Sequence, residues 1–361
     1  MEEGGDVAGG EAIASPVAAA IGLDVGGGAV KAGGVLFHAD GTLVQAVGPG
    51  EVRVRHRVEA DGDALSELCA VTARELFHEL RSRWPQVPVL WGVSAAAWID
   101  PGTGHSLFSP HLMGWRDRPL PQDLAQSLAR LTDRPVAGGE PGRPSPQTVP
   151  LPSVVNDADA AAWAEARLTP GPGRDDGRLR SDRMVLVAIG TGIGGALVRD
   201  GAVDVGAWGM AGEYGHMTVD PSGVPCPCGN TGCWELLVSA EALATRAGRA
   251  SARTAIDEAL AGDADCGRAV RETGRWLGRG LATLAAVLDP SRFVIGGGVA
   301  SAGELLLAPA REELGRHLPG GHYRPVPSVT VATWGNSAGW VGAAGIALER
   351  AGWSVSAAAV D

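Results

Sequence analysis

Met184-Val-Leu-Val-Ala-Ile189-Gly190-Thr191-Gly192-Ile193-Gly194-Gly195-Ala196-Leu-Val-Arg199-Asp200-Gly201 reads as an apolar strand, a glycine-rich turn, a second strand and an Asp-Gly turn. The same order occurs near the start of the chain: Ala18–Asp24, then Gly26-Gly27-Gly28, then Gly33–Phe37, then Ala39-Asp40-Gly41. Short apolar runs separated by Gly and Asp-Gly are strand and hairpin signals. A glycine turn between strands lets backbone N–H groups approach an anion, and Lys31 lies near the first one. A single such turn is equally an ordinary hairpin. Two on duplicated units point to two related lobes gripping a polyphosphate. The second turn superficially matches a dinucleotide-binding fingerprint, but no helical pattern follows it, so a Rossmann unit is rejected.

The densest chemistry lies between Glu213 and Glu235. Glu213-Tyr-Gly-His216 and Cys226-Pro-Cys228-Gly-Asn-Thr-Gly-Cys233-Trp-Glu235 hold one His and three of the chain's five Cys. One imidazole and three thiolates form a Cys₃His set suited to a structural zinc, with no open position for water. The alternative is a Cys-containing surface loop without metal. A zinc here would hold in place the two flanking carboxylates, Glu213 and Glu235. A second informative segment is Ser153-Val-Val-Asn156-Asp157-Ala-Asp159, a strand that delivers Asn-Asp to the start of an Ala-rich helix, Ala160–Arg167. An Asp there is either an N-cap or a functional carboxylate. Asp159 is expected to face solvent.

At 361 residues the chain has room for two lobes. Its net charge of −11 disfavours nucleic acid as a partner, since phosphate backbones need a basic face. No apolar run reaches the ~18 residues that span a bilayer. The acidic, Gly-rich Met1–Gly10 lacks the basic region of a secretory signal, and residues 1–17 are expected to be a disordered tail. Cys69 and Cys266 fall in helical patterns as buried free thiols, and this cysteine usage suits a reducing cytoplasm. Eleven Trp outnumber Phe and Tyr together, and most are expected in the core. Helical spacing predicts Asp61–Arg81, with Asp61 or Asp63 as cap, and Pro121–Leu131, Val238–Ala261, Cys266–Leu288, Glu304–Arg316 and Asn336–Arg350. Val87–Val93, Arg292–Ile295 and Val326–Ala332 read as strands. The Pro- and Gly-rich stretches Ala137–Pro152 and Thr169–Asp182 read as loops, and Ser354–Asp361 as a frayed tail.

The E-x-G-H and C-x-C-G-x-x-G-C-x-E segments resemble the signature of the ROK family of bacterial sugar kinases and sugar-responsive repressors, and the resemblance extends with gaps from about Ile21 to Leu348. It implies an α/β, actin-like ATPase (ribonuclease H-like) fold of two lobes. The small lobe would comprise 18–156 plus about 337–361. The large lobe would comprise 157–336, with the zinc loop 213–235. It further implies that Asn156, Glu213, His216 and Glu235 line a sugar site, that His216 also binds zinc, and that Asp157 is the catalytic base. The first turn resembles the family's D-x-G-G-T phosphate loop, with Gly28 where Thr is usual. Asp24 would help place Mg²⁺. The turn Gly190-Thr191-Gly192-Ile-Gly194-Gly195 resembles the second phosphate loop, and Gly296-Gly297-Gly298-Val299 the adenosine site of ATP. Two loops that border the sugar depart from the pattern, with Ala96-Ala97 in place of Pro-Gly and His111 in place of Asn.

The resemblance implies an ATP-dependent hexose kinase, glucokinase-like, that forms a homodimer or homotetramer. The departures motivate an alternative acceptor, a cyclitol or amino sugar. Gly28 motivates a sugar-binding pseudokinase, against which stands the retained Asp157. A repressor of this family carries an N-terminal DNA-binding domain, for which the 23 residues before Asp24 are too few.

Overall fold

The computed structural model describes residues 16–56, 60–136, 147–169, 181–321 and 323–357. Strands β1 (Pro16–Gly26), β2 (Ala29–His38) and β3 (Thr42–Arg55) form an antiparallel meander. The β2–β3 turn is closed by Asp40, whose carboxylate accepts from the Thr42 N–H and hydroxyl, while Gly41 takes a φ of 92°. Helix α1 (Gly62–Arg83) is capped by Asp61, which accepts from Ala64 N–H at 2.8 Å. β4 (Val89–Ala95) returns parallel to β1. A small ribbon, β5 (Trp98–Ile99) with β6 (Ser106–Phe108), precedes α2 (Leu120–Thr132). β7 (Ser153–Asn156) runs parallel to β4 and leads directly into α3 (Asp157–Leu168).

The second unit repeats this plan. β8 (Arg183–Ile189), β9 (Ile193–Arg199) and β10 (Ala202–Asp204) form a meander. Asp200 and Gly201 both have positive φ, 52° and 83°, as a two-residue hairpin of the right twist requires. The short α4 (Glu235–Val238), α5 (Ala240–Ala247) and α6 (Ala252–Leu260) precede the long α7 (Ala264–Leu288). β11 (Arg292–Gly296), α8 (Glu304–His317) and β12 (Ser328–Val331) follow, then α9 (Ala338–Arg350) and β13 (Ser356–Ala357). The first sheet has the order β13-β3-β2-β1-β4-β7 and the second β10-β9-β8-β11-β12. In both, a three-stranded antiparallel meander is extended by two parallel strands from its first strand. The duplication expected from the two glycine turns is therefore a duplication of sheet topology.

α9 lies on the first sheet, and its backbone comes unusually close to it. A Cβ on Gly22 would meet Trp340 O at 1.8 Å, and one on Gly92 would meet Ala343 O at 1.9 Å. This approach seats Gly339 of α9 against the Asp24 carboxylate, 2.7 Å from where its Cβ would be. The Trp and Gly abundance has a related cause. Trp91, Trp115, Trp234 and Trp340 are fully buried, and Gly33 and Gly280 leave the space that the Trp340 and Trp234 rings fill. Each such ring buries about 150–250 Å², an upper bound of roughly 4–6 kcal/mol of apolar burial.

Three expectations change. Val238–Ala261 is not one helix: Ser239 is extended and caps α5, Gly248 ends it with a φ of 62°, and Ser251 caps α6. Caps inside an apolar-periodic stretch interrupt the backbone ladder without disturbing the apolar spacing. The first strand begins at Pro16, inside the stretch read as tail. Part of the C-terminal stretch is also ordered, because Ser356 and Ala357 pair with Thr42 and Leu43, and Val355 is buried. Residues 1–15, 137–146, 170–180 and 358–361 of the expected tails and loops lie outside the described residues. Among the described residues no helix is long and apolar enough to cross a membrane.

Candidate active site

Asp24 sits near the end of β1, in register with Lys31 on β2 and Ser94 on β4. Its carboxylate accepts from Lys31 Nζ at 2.8 Å and from the Ser94 hydroxyl at 3.0 Å. Lys31 also donates to Asn336 O at 3.1 Å, which ties the phosphate-turn hairpin to the segment entering α9. The Gly27-Gly28 turn projects just beyond. A Cβ on Gly28 would touch nothing within 4 Å, whereas one on Gly27 would press on His111 at 3.0 Å. His111 therefore lies against the first glycine turn. Ser109 holds it there, accepting from the N–H groups of His111 and Leu112 while its own hydroxyl donates to Ala96 O.

Asn156 and Asp157 take different places at the β7–α3 junction. Asn156 is the N-cap: its Oδ1 accepts from Ala158 N–H at 2.9 Å and Asp159 N–H at 3.2 Å. Its Nδ2 donates to Ala97 O at 3.1 Å. Ala97 is itself buried, so it reaches this site through its backbone carbonyl. Asn156 is the cap, and Asp157 is a half-buried carboxylate in the first turn whose Oδ1 also accepts from the Ala158 N–H at 2.9 Å. Burial, then the charge of Asp24, and more weakly that of Glu213, push its carboxyl up to about 7. Asp159, expected to face solvent, is half-buried instead, and burial with the neighbouring Asp157 charge pushes it up to about 7 as well. The first turn of α3 packs beside the second unit, which the Asn-Asp-Ala-Asp spacing alone does not reveal.

The Glu213–Glu235 segment folds back on itself. His216 sits between two carboxylates, with Nδ1 3.4 Å from Glu235 Oε1 and Nε2 3.8 Å from Glu213 Oε2. Trp98 of β5 donates its indole N–H to Glu213 Oε1 at 2.6 Å, a link from the first unit to the second. Nδ1 of His216 is 3.9 Å from Cys226 Sγ, and Cys228 Sγ is 3.6 Å from Cys233 Sγ. One donor atom from each of the four residues lies within 4.8 Å of the others. A tetrahedral zinc with bonds of about 2.3 Å would separate its sulfurs by roughly 3.8 Å, so the four donors fit closure on one such ion. Burial pushes the Cys233 thiol up to about 12, so its thiolate form calls for a cation beside it.

The remaining glycines divide by role. Gly190, Thr191 and Gly192 form the β8–β9 turn, and Gly190 O accepts from Ala240 N–H. A Cβ on Gly192 would lie 2.8 Å from Glu235 Oε2, which joins the turn to the carboxylate. Gly194 and Gly195 lie within β9, not in the turn. Gly195 leaves room for the Tyr214 ring, which would sit 2.3 Å from its Cβ, so packing explains that glycine. Gly296 ends β11, and Gly297 takes a φ of 79° against Ile189 backbone. Gly298 faces open space. The Val299 side chain is wholly buried in the second core, so only its backbone can border a ligand.

Sequence reading missed Trp98, Ser94 and three basic side chains, Arg53, Arg55 and His56, which line a cavity with Asp24 and Gly28. Ser94 carried a signal, as the one hydroxyl in the buried β4 strand. Trp98 carried none, because its partner is 115 residues away.

Comparisons with known proteins agree with this architecture. The pattern of the ROK family matches residues 147–350. The glucokinase of Streptomyces coelicolor is 34% identical over 352 residues, covering 91% of this chain and 97% of that protein. An N-acetylmannosamine kinase of Escherichia coli is 37% identical over 158 residues, 42% of this chain and 52% of that one. A ROK family glucokinase from Streptomyces griseus, crystallised with glucose and AMPPNP, superposes with a TM-score of 0.69 at 29% identity, over 92% of this chain and 99% of that one. The duplicated sheets are thus the two halves of the actin-like ATPase fold expected of ROK kinases. With the family pattern spanning α3, the thiol loop and α9, and a relative matched over nearly its whole length, the chain belongs to the ROK family.

Proposed function

We propose that the protein is an ATP-dependent hexose kinase, glucokinase-like, with Asp157 as its base. The observation that carries this reading is the company Asp157 keeps. The charges that raise its pKa belong to Asp24, beside the first glycine turn, and to Glu213, beside His216. A base for phosphoryl transfer belongs between a donor phosphate and an acceptor hydroxyl. Asp157 takes the proton of a sugar hydroxyl as that oxygen attacks the γ-phosphate and ADP leaves. Glu213, His216 and Glu235 hold ring hydroxyls. Asn156 contributes less than expected, since its oxygen caps α3 and one amide hydrogen is held by Ala97. The Gly27-Gly28 and Gly190–Gly192 turns cradle phosphates, and Gly296–Gly298 borders the adenosine.

Two ions complete the proposal. Mg²⁺, when bound, neutralises phosphate charge, and Asp24 would hold it, through water, on leaving Lys31. Zinc, when bound to His216, Cys226, Cys228 and Cys233, holds the loop and is structural. Nδ1 of His216 faces the thiols, which leaves Nε2 for a sugar hydroxyl. The two sheets with their helices act as lobes divided at 156/157 and near 337. The assembly is a homodimer or homotetramer.

A second acceptor class, an amino sugar or cyclitol, has two supports: His111 and Ala97 depart from the family's sugar-bordering residues, and an N-acetylmannosamine kinase is among the relatives. ADP release with Mg-ATP across hexoses, amino sugars and cyclitols, beside Asp157→Asn, tests the whole reading. Turnover lost in the variant supports it, and efficient glucose use ends the second acceptor class. Sugar binding without turnover on any compound identifies a pseudokinase.

A further inference from the structure

The face of the first sheet that carries Asp24 also carries a row of cations the kinase reading does not use. Strand register sets Asp24, Lys31 and Arg53 side by side across β1, β2 and β3, and Gly26, Ala29 and Arg55 side by side one pleat further on. Residues two apart on a strand share a face, so both rows point the same way. Together with Gly28 and His56 they line a cavity of 460 Å³ that is open to solvent. Its single carboxylate, Asp24, is already matched by Lys31 at 2.8 Å. Among the described residues neither Arg53 nor Arg55 forms an ion pair, so the cavity keeps a net positive charge. The turn beside it is prepared for an anion. His56 donates its Nε2–H to Gly26 O at 2.8 Å and its backbone N–H to Gly28 O at 3.2 Å, occupying two carbonyls that would otherwise repel one.

We infer that this cavity is a polyphosphate-binding arm carried by β3, in which Arg53 and Arg55 grip the phosphates of the donor. The inference rests on the kinase reading for the donor's identity and on geometry for the site. Guanidinium groups suit the task, because their planar donors match phosphate oxygens in pairs. They also supply charge next to a turn whose position 28 lacks a hydroxyl. The occupant is a chain of phosphates, since the cavity is far larger than one orthophosphate, whereas its walls offer no Phe, Tyr or Trp ring for a base, and the His56 imidazole is held by Gly26 O.

Titration of the full-length protein with metal-free inorganic tripolyphosphate, and separately with adenosine, tests the site without any turnover. Arg53→Ala with Arg55→Ala is expected to weaken tripolyphosphate binding about tenfold or more and to raise the KM for ATP similarly. Adenosine binding and the KM for the sugar stay unchanged, and Arg53→Lys with Arg55→Lys recovers part of the loss. An unaltered melting temperature excludes misfolding. Tripolyphosphate binding and ATP KM that ignore the alanine variants overturn the inference while leaving the kinase reading intact. Arginine-dependent tripolyphosphate binding in a protein that phosphorylates no sugar keeps the site and removes the kinase reading.

Discussion

Replacing Gly28 by Thr tests whether the first turn lacks a needed hydroxyl, the one carried by the D-x-G-G-T pattern it resembles. The position accepts a side chain: a Cβ there meets nothing within 4 Å, and its φ is outside the left-handed range. Removing glycine from a compatible backbone stabilises by about 0.4–1 kcal/mol through the unfolded chain, or roughly 1–4 °C in a lobe of this size. The functional effect is larger. A hydroxyl donating to a charged phosphate oxygen is worth about 1.5–3 kcal/mol. The lower end applies here, because the cavity beside Gly28 opens to water, and that corresponds to roughly tenfold in rate. Gly28→Thr is therefore expected to raise kcat about tenfold with the KM for sugar unchanged, and to melt slightly higher. Steady-state kinetics at saturating Mg-ATP and a melting curve read both. A higher melting point with unchanged kcat refutes the idea that the turn lacks a needed donor. A lower melting point refutes the reading of its backbone.

Because the Asp157 carboxyl is pushed up to about 7, the base is protonated below that pH. kcat/KM is expected to rise tenfold per unit up to about pH 7 and then level, and a flat profile from pH 5 to 8 removes Asp157 as base. The same shift costs stability. The folded state holds that proton more tightly than the unfolded chain, so this group's contribution is full below about pH 4 and lost as pH rises through about 7. Asp157→Asn should lose about 10²–10⁴ in kcat yet unfold at higher denaturant at pH 8, by about 1–2 kcal/mol once solvent screening is allowed for. Denaturation at pH 4 and 8 checks the sign. Removing metal with a chelator, or Cys233→Ser, should weaken sugar binding about 10–100-fold before it unfolds the chain, and stoichiometric zinc by elemental analysis accompanies the intact site. Gly192→Ala places a methyl 2.8 Å from Glu235 Oε2 and should displace that carboxylate, raising the KM for sugar about tenfold, with a smaller rise in the KM for ATP because the same turn borders the phosphates; kinetics on both substrates resolve the two.

Local sequence determined the parts of this protein that depend on neighbours in the chain. The duplicated meanders follow from apolar runs and Asp-Gly turns, because strand pairing across a short loop is a local event. The Cys₃His set follows in the same way, since a short Gly- and Pro-rich loop can bring three thiols to one point. The cap of α1 was legible to within two residues, Asp61 or Asp63, and the structure chose Asp61. Tertiary structure alone decided what meets between distant segments. It assigned the cap of α3 to Asn156, half-buried Asp157 and Asp159, and paired Trp98 with Glu213 over 115 residues. It also aligned Arg53 with Asp24 and Arg55 with Gly26 through the register of three strands. Register and lobe packing are set by the burial of whole faces, and a window of sequence holds only one side of each contact.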